Sequence, residues 1–207
     1  MSKVLTLLKN DSDTVGEVGR ITAVKVKEAV AQLKPQKADD SGSFTSDALL
    51  QAPDIVFEHL ASIFRSWLFH GTVTRSLLAC PFLPLLKSSL KDPEDAGSYR
   101  ANAGSSLILK LFEKVLLLVW GLVLGTDSLQ FGFKANTSTT QCSWMVQEVI
   151  GHYLRHGTNP IITVLDCSKA FDACRFSNIF TKLLDTGMPP VVVRAFMHMY
   201  QQQYMLG

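Results

Sequence analysis

Dense charge is the first thing this sequence lacks. Charged residues make up only 18%, and 20 Lys/Arg nearly balance 18 Asp/Glu for a formal net charge of +2. That excludes a chain that binds nucleic acid by bulk charge alone, while still permitting such a partner. Paired cysteines are also missing. Cys80, Cys142, Cys167 and Cys174 lie far apart, with no C-x-x-C and no Cys/His cluster at the ligand spacing of a structural zinc site, so they read as reduced, intracellular thiols. No apolar run is long enough to span a bilayer. The most apolar stretch, 115–124, follows Lys110, Glu113 and Lys114 and falls short of the roughly 20 residues a span requires, so it reads as a buried helix with no membrane partner. Residues 1–10 carry no cleavage-site pattern, which excludes secretion by a signal peptide. There is no internal repeat and no long low-complexity tract. What is present is a hydrophobic content of 47%, ordinary for a packed globular chain.

Periodicity then supplies the elements. Residues 21–34 place Ile21, Val24, Ala29, Val30 and Leu33 on roughly one helical face, and Pro35 ends the run. Residues 35–47, rich in Asp, Ser, Lys and Gly, read as a surface loop. A second helix has Pro53 in its first turn, a stripe of Ile55, Val56, Leu60, Ile63, Phe64 and Trp67, and Gly71 to stop it. Residues 79–86 are apolar, but Pro81 and Pro84 point to an edge strand or extended segment. The polar run 87–100 reads as loop. Helices follow at 105–118, at 139–155 with Ser138 or Thr137 as N-cap and Gly157 closing it, at 176–186 and at 189–203. Residues 161–165, a continuous β-branched and aliphatic run, predict a strand buried on both faces. Residues 204–207 read as an abrupt end with no capping strand. The pattern is a helix-rich α/β (α+β) chain with few strands.

The sharpest chemical feature follows that predicted strand: Asp166, Cys167, Ser168, Lys169, Ala170, Phe171 and Asp172. Ligands gather at strand ends in α/β folds. A hard cation such as magnesium wants carboxylate and phosphate oxygens together, and an acid on a rigid strand supplies the fixed part of that shell. On spacing alone, Asp166 serves equally as a turn cap.

With its D-x-S-K-A-F-D segment, the chain resembles reverse transcriptases of non-LTR retrotransposons, the long interspersed element type. Further blocks follow the family order. Asp92-Pro93 leading to Tyr99-Arg100 is similar to D-P-x-x-x-x-x-Y-R, and Lys110-Leu111-Phe112-Glu113-Lys114 to K-L-F-E-K. Gln130-Phe131-Gly132-Phe133-Lys134 with Ser138-Thr139-Thr140 is similar to Q-F-G-F-R/K…S-T-T, and Lys182-Leu183-Leu184 with Gly187 to K-L-L-x-x-G. Residues 29–37 resemble the A-x-x-x-L-K-x-x-K that opens the fingers. Together the blocks span residues 26–200.

The resemblance implies an incomplete right-hand polymerase: an N-terminal extension over 1–20, a fingers-like region over 21–157 and a partial palm over 158–207. It implies that Asp166 and the backbone carbonyl of Cys167 hold Mg2+. Lys87 and Arg100 would pair with the deoxynucleoside triphosphate, whose phosphates Lys169 and Ala170 would approach through their backbone. Phe171 would sit beneath the sugar, and Gln130, Phe131, Gly132, Phe133 and Lys134 would contact RNA template and DNA primer. The residues alone also admit Phe171 as a core side chain, Arg100 and Lys87 as solvated loop charges and Asp172 as a helix cap; Arg155, Arg175 and Arg194 read as surface charges. Departures from the family stand beside the matches. Ala101-Asn102 replaces the usual Pro-Ile or Gly-Ile, and Asn136 stands where Gly is usual. The family's aromatic-x-Asp-Asp turn and thumb are not found through Gly207, and Asp39-Asp40 sits in a Ser/Gly loop. With one such Asp the chain is expected not to polymerise DNA. An unfinished palm sheet would expose apolar groups and invite self-association. The alternatives are a non-catalytic nucleic-acid- or protein-binding remnant and a decayed reading frame.

Overall fold

Caps written into the sequence set where the helices begin and end. In the computed structural model of the chain, which describes residues 14–38, 44–90, 92–167, 170 and 173–206, α1 (Thr14–Gly19) leads into α2 (Ala23–Ala31). There the Thr22 hydroxyl accepts from the Lys25 amide at 3.3 Å, satisfying one of the free N–H groups of a first helical turn. After α3 (Ser46–Leu50), α4 (Asp54–His70) starts behind Pro53 and ends on Gly71, whose φ of +63° is the left-handed conformation of a C-cap. A 3₁₀ turn at Arg75–Leu78 enters β1 (Ala79–Leu86), and β2 (Tyr99–Ala103) precedes α5 (Leu107–Trp120), capped by the Ser106 hydroxyl. Then come α6 (Thr139–Arg155), α7 (Phe176–Asp185), α8 (Pro190–Gln202) and β3 (Tyr204–Leu206). The result is the helix-rich α/β (α+β) class expected. No helix among the described residues is long and apolar enough to cross a membrane.

The chain divides into two compact units, one formed by residues up to Leu124 together with those from Ser177 onward, the other by Gly125–Phe176. In the first, α2 packs on α4 and α5, and α4 on α8. Phe64, Trp67 and Phe112 form an aromatic triangle with ring centroids 5.2 to 5.4 Å apart, the Trp67–Phe112 pair edge to face. Burying rings of this size contributes about 1.5–3 kcal/mol each. Trp120 is also buried, and its indole N–H donates to the Glu17 carboxylate at 2.7 Å. Arg20 joins the same carboxylate, donates to the Val119 carbonyl and lies over the Trp120 ring, tying α1 to the end of α5.

Several expectations are corrected. Val24, Ile55 and Ile63 are exposed, whereas Val26, Phe57 and Leu68 are buried; the buried stripes are rotated from those expected because α2 meets neighbours on two sides. Tyr99 and Arg100 belong to a strand rather than a loop, and β3 follows the last helix where no strand was expected. β1 is the middle strand of the order β2-β1-β3, not an edge. Its prolines are tolerated because the partners are offset. β3 pairs in parallel with Ala79–Pro81 and β2 antiparallel with Phe82–Leu86, and at Pro81, which has no N–H to give, the carbonyl still accepts from the Gly104 amide at 2.9 Å. Arg194 is no free surface charge, since it donates to the Phe69 carbonyl at the end of α4 at 2.7 Å.

The largest correction concerns residues 161–165. They form no strand and are exposed, Leu165 at 91%, and their backbone makes no hydrogen bond with described residues. A strand exists only by pairing, and all three strands of the sheet lie in the first unit. Aliphatic composition therefore had nothing to pair with here.

Candidate nucleotide and nucleic-acid site

In the first unit, the β1–β2 hairpin positions two of the expected triphosphate contacts. Its register sets Arg100 opposite Leu85 and Tyr99 opposite Leu86. The Lys87 amide then donates to the Ser98 carbonyl at 2.9 Å, closing the ladder. The connecting loop is held by its own short-range bonds. Asp92 and Asp95 accept from the amides of Glu94 and Gly97, each at 2.9 Å, and the Tyr99 hydroxyl donates to the Pro93 carbonyl at 2.9 Å. That last bond joins the two ends of the D-P-x-x-x-x-x-Y-R segment and gives its spacing a physical reason. The two cations at its base differ. Lys87 gives its ammonium to the Gly97 carbonyl at 2.6 Å, whereas the exposed Arg100, bound in the ladder through its backbone, makes no side-chain hydrogen bond or ion pair with a described residue. An unpaired guanidinium on a strand is suited to bidentate capture of phosphate.

In the second unit, the Gln130–Lys134 segment is a tight loop ahead of α6. The Gln130 side-chain amide donates to the Gly132 carbonyl at 3.0 Å, Lys134 to the Asp127 carbonyl at 3.3 Å, and the Thr137 hydroxyl lies 2.8 Å from the carbonyls of both Phe131 and Lys134. Phe133 and Asn136 take positive φ of 57° and 61°. Asn at the second position accepts that conformation, which accounts for its standing where Gly is usual. Ser138 and Gln141 complete a reciprocal capping box. Phe133 is 97% exposed at the loop tip. Phe131 turns instead into an apolar groove of about 380 Å³ that Met145, Val149, Tyr153 and Ile162 also line.

Asp166 is exposed and makes no hydrogen bond with described residues, so it does not act as a turn cap toward them. Cys167 and Ala170 are exposed beside it. Lys169 and Phe171 lie outside the described residues, as do Ser168, Asp172 and Asp39-Asp40. Among the described residues no group of three or more His, Cys, Asp or Glu could hold a metal ion. The oxygen donors of Asp166 and the Cys167 carbonyl suit magnesium in kind, but they are few against the six a hard cation takes, so phosphate and water would have to supply the rest. Behind the hairpin, Glu113 of the K-L-F-E-K segment is partly buried. Burial pushes its carboxyl pKa above the ordinary 4.5, with Lys110 opposing. Burial and the nearby Glu113 raise the Tyr200 phenol. The role of Arg194 depends on a carbonyl that tertiary packing presents, and the Tyr99–Pro93 bond on a loop conformation that no periodicity records.

No family model matches the chain. Over 159 residues it is 26% identical to a Drosophila funebris protein described as RNA-directed DNA polymerase from mobile element jockey, a match covering 73% of this chain. The chain spans 17% of that protein's length. Sequence blocks and overall similarity thus agree that this chain is similar to a reverse transcriptase of a mobile element.

Proposed function

We propose that the chain is the fingers and part of the palm of an RNA-directed DNA polymerase of the non-LTR retrotransposon type, with RNA template, DNA primer and deoxynucleoside triphosphates as its partners. The observation that carries this reading is the similarity to the jockey polymerase over most of the chain. The unpaired Arg100 on its hairpin, the exposed Phe133 and the exposed Asp166 support it chemically. Arg100 would take the triphosphate together with Lys87, whose ammonium keeps N–H donors beyond the one it gives the Gly97 carbonyl. Asp166 and the Cys167 carbonyl would contribute to a magnesium shell whose chemistry is to offset charge on the transferring phosphoryl group.

With one carboxylate in place of a set, these 207 residues bind but do not polymerise. Self-association would run through residues 161–165, whose side chains are exposed and whose backbone groups pair with no described residue. Primer extension at high protein concentration, in wild type and Asp166→Asn, is the test. No extension by either is expected. Extension by wild type that Asp166→Asn abolishes would overturn the assignment of this chain as non-catalytic.

A further inference from the structure

We propose that His152 and His156 form a site for a divalent transition-metal ion of the Ni2+, Cu2+ or Zn2+ class at the C-terminal end of α6, one imidazole nitrogen from each residue and water completing the shell. Residues four apart share a helix face, a spacing from which paired histidines reach one metal ion. Here the two rings stand with centroids 4.4 Å apart and planes 36° apart. The His156 ring nitrogen Nδ1 lies 2.7 Å from the His152 carbonyl oxygen. A carbonyl only accepts, so Nδ1 carries the hydrogen and the Nε2 lone pair of His156 is turned outward.

His152 is steadied on its other side by the Tyr153 ring, packed edge to face at 5.6 Å. Both histidines are exposed, so an ion reaches them from solvent. Tetrahedral coordination at the usual zinc–nitrogen bond length sets the two donors about 3.3 Å apart, within reach of rings this close by rotation about a single side-chain bond. The carbonyl end of the helix favours positive charge there. Arg155, the neighbouring cation, leans back toward Gly151. Glu148 lies one turn earlier on the same stripe, but no third His, Cys, Asp or Glu joins the pair among the described residues. Nitrogen donors make this site chemically unlike the oxygen donors at Asp166, and they select imidazole-binding ions over magnesium.

The test is calorimetric titration of Ni2+ into the full chain, with His152→Gln, His156→Gln and the triple variant Cys142→Ser/Cys167→Ser/Cys174→Ser, which removes the competing thiols of the same unit. Circular dichroism checks that α6 survives. One bound equivalent is expected, with affinity about tenfold or more lower in each histidine variant, unchanged in the cysteine triple and indifferent to excess Mg2+. Absence of binding, retention in the histidine variants, loss in the cysteine triple, or displacement by Mg2+ would each overturn the site.

Discussion

Gly71→Ala probes the junction of α4 and α8, where the C-cap of one helix meets a side chain of the other. Two costs add. The residue sits at φ +63°, and a side chain in the left-handed region costs about 1–2 kcal/mol. A Cβ there would also stand 2.6 Å from Nε and 2.9 Å from Cγ of Arg194. The guanidinium must then move, endangering its 2.7 Å bond to the Phe69 carbonyl, a partly solvated charge-assisted bond contributing about 1 kcal/mol. The Arg194 Nε is already buried without a partner, so removing the whole side chain relieves one penalty while losing one bond. Gly71→Ala should therefore destabilise by about 2–3 kcal/mol in wild type and by only about 1–2 kcal/mol in an Arg194→Ala background, a coupling near 1 kcal/mol. Urea unfolding of the four proteins of this cycle measures it. Equal costs of Gly71→Ala in both backgrounds would refute the steric half of the reasoning, and a neutral Gly71→Ala would refute both halves.

Phe112→Ala, which removes one corner of the aromatic triangle, should cost about 3–5 kcal/mol in the same assay, whereas exposed Ile63→Ala should cost under about 1 kcal/mol. Glu113→Gln should stabilise the chain near neutral pH and change it little in acid. The raised carboxyl pKa means the folded state holds the proton more tightly, so the wild-type contribution is present below the unfolded value and lost as pH rises through the folded one. Unfolding midpoints at about pH 4 and about pH 7 check the sign. Tyr99→Phe should lose about 0.5–1.5 kcal/mol and loosen the loop after β1, read by faster hydrogen exchange at the Gly97 and Ser98 amides.

What the sequence made legible follows from local physics. Thr139–Arg155 emerged with its expected limits because a capping box and a glycine after its end are local signals. Gly71 announced the end of α4 in the same way. Residues 161–165 misled because β-branched composition records only suitability for a strand, whereas a strand also needs a neighbour. The opposite error at β1 has the same root: a proline loses only its N–H, its carbonyl still accepts as Pro81 does from Gly104, and β2 and β3 pair with different stretches of the strand. At the candidate site, the resemblance offered Arg100 and Lys87 in the same role. Folding separates them, leaving a guanidinium with no partner among the described residues beside an ammonium that holds the Gly97 carbonyl.

Similarity to a reverse transcriptase makes retained binding to an RNA–DNA hybrid the central expectation, and a salt-dependent titration tests it most directly. Wild-type affinity should fall in the range of roughly 10⁻⁴ to 10⁻⁶ M at physiological salt and drop steeply as salt rises. Replacing Arg100 by Ala and, separately, Lys134 by Ala should each weaken it and reduce the salt slope by about one, and combining the two should reduce it by about two, while replacing Arg155 and Arg175 by Ala should leave the slope unchanged, whether or not the two units meet on the hybrid. Equal losses from the two double variants, or no measurable binding by wild type, would contradict a retained polymerase-like surface.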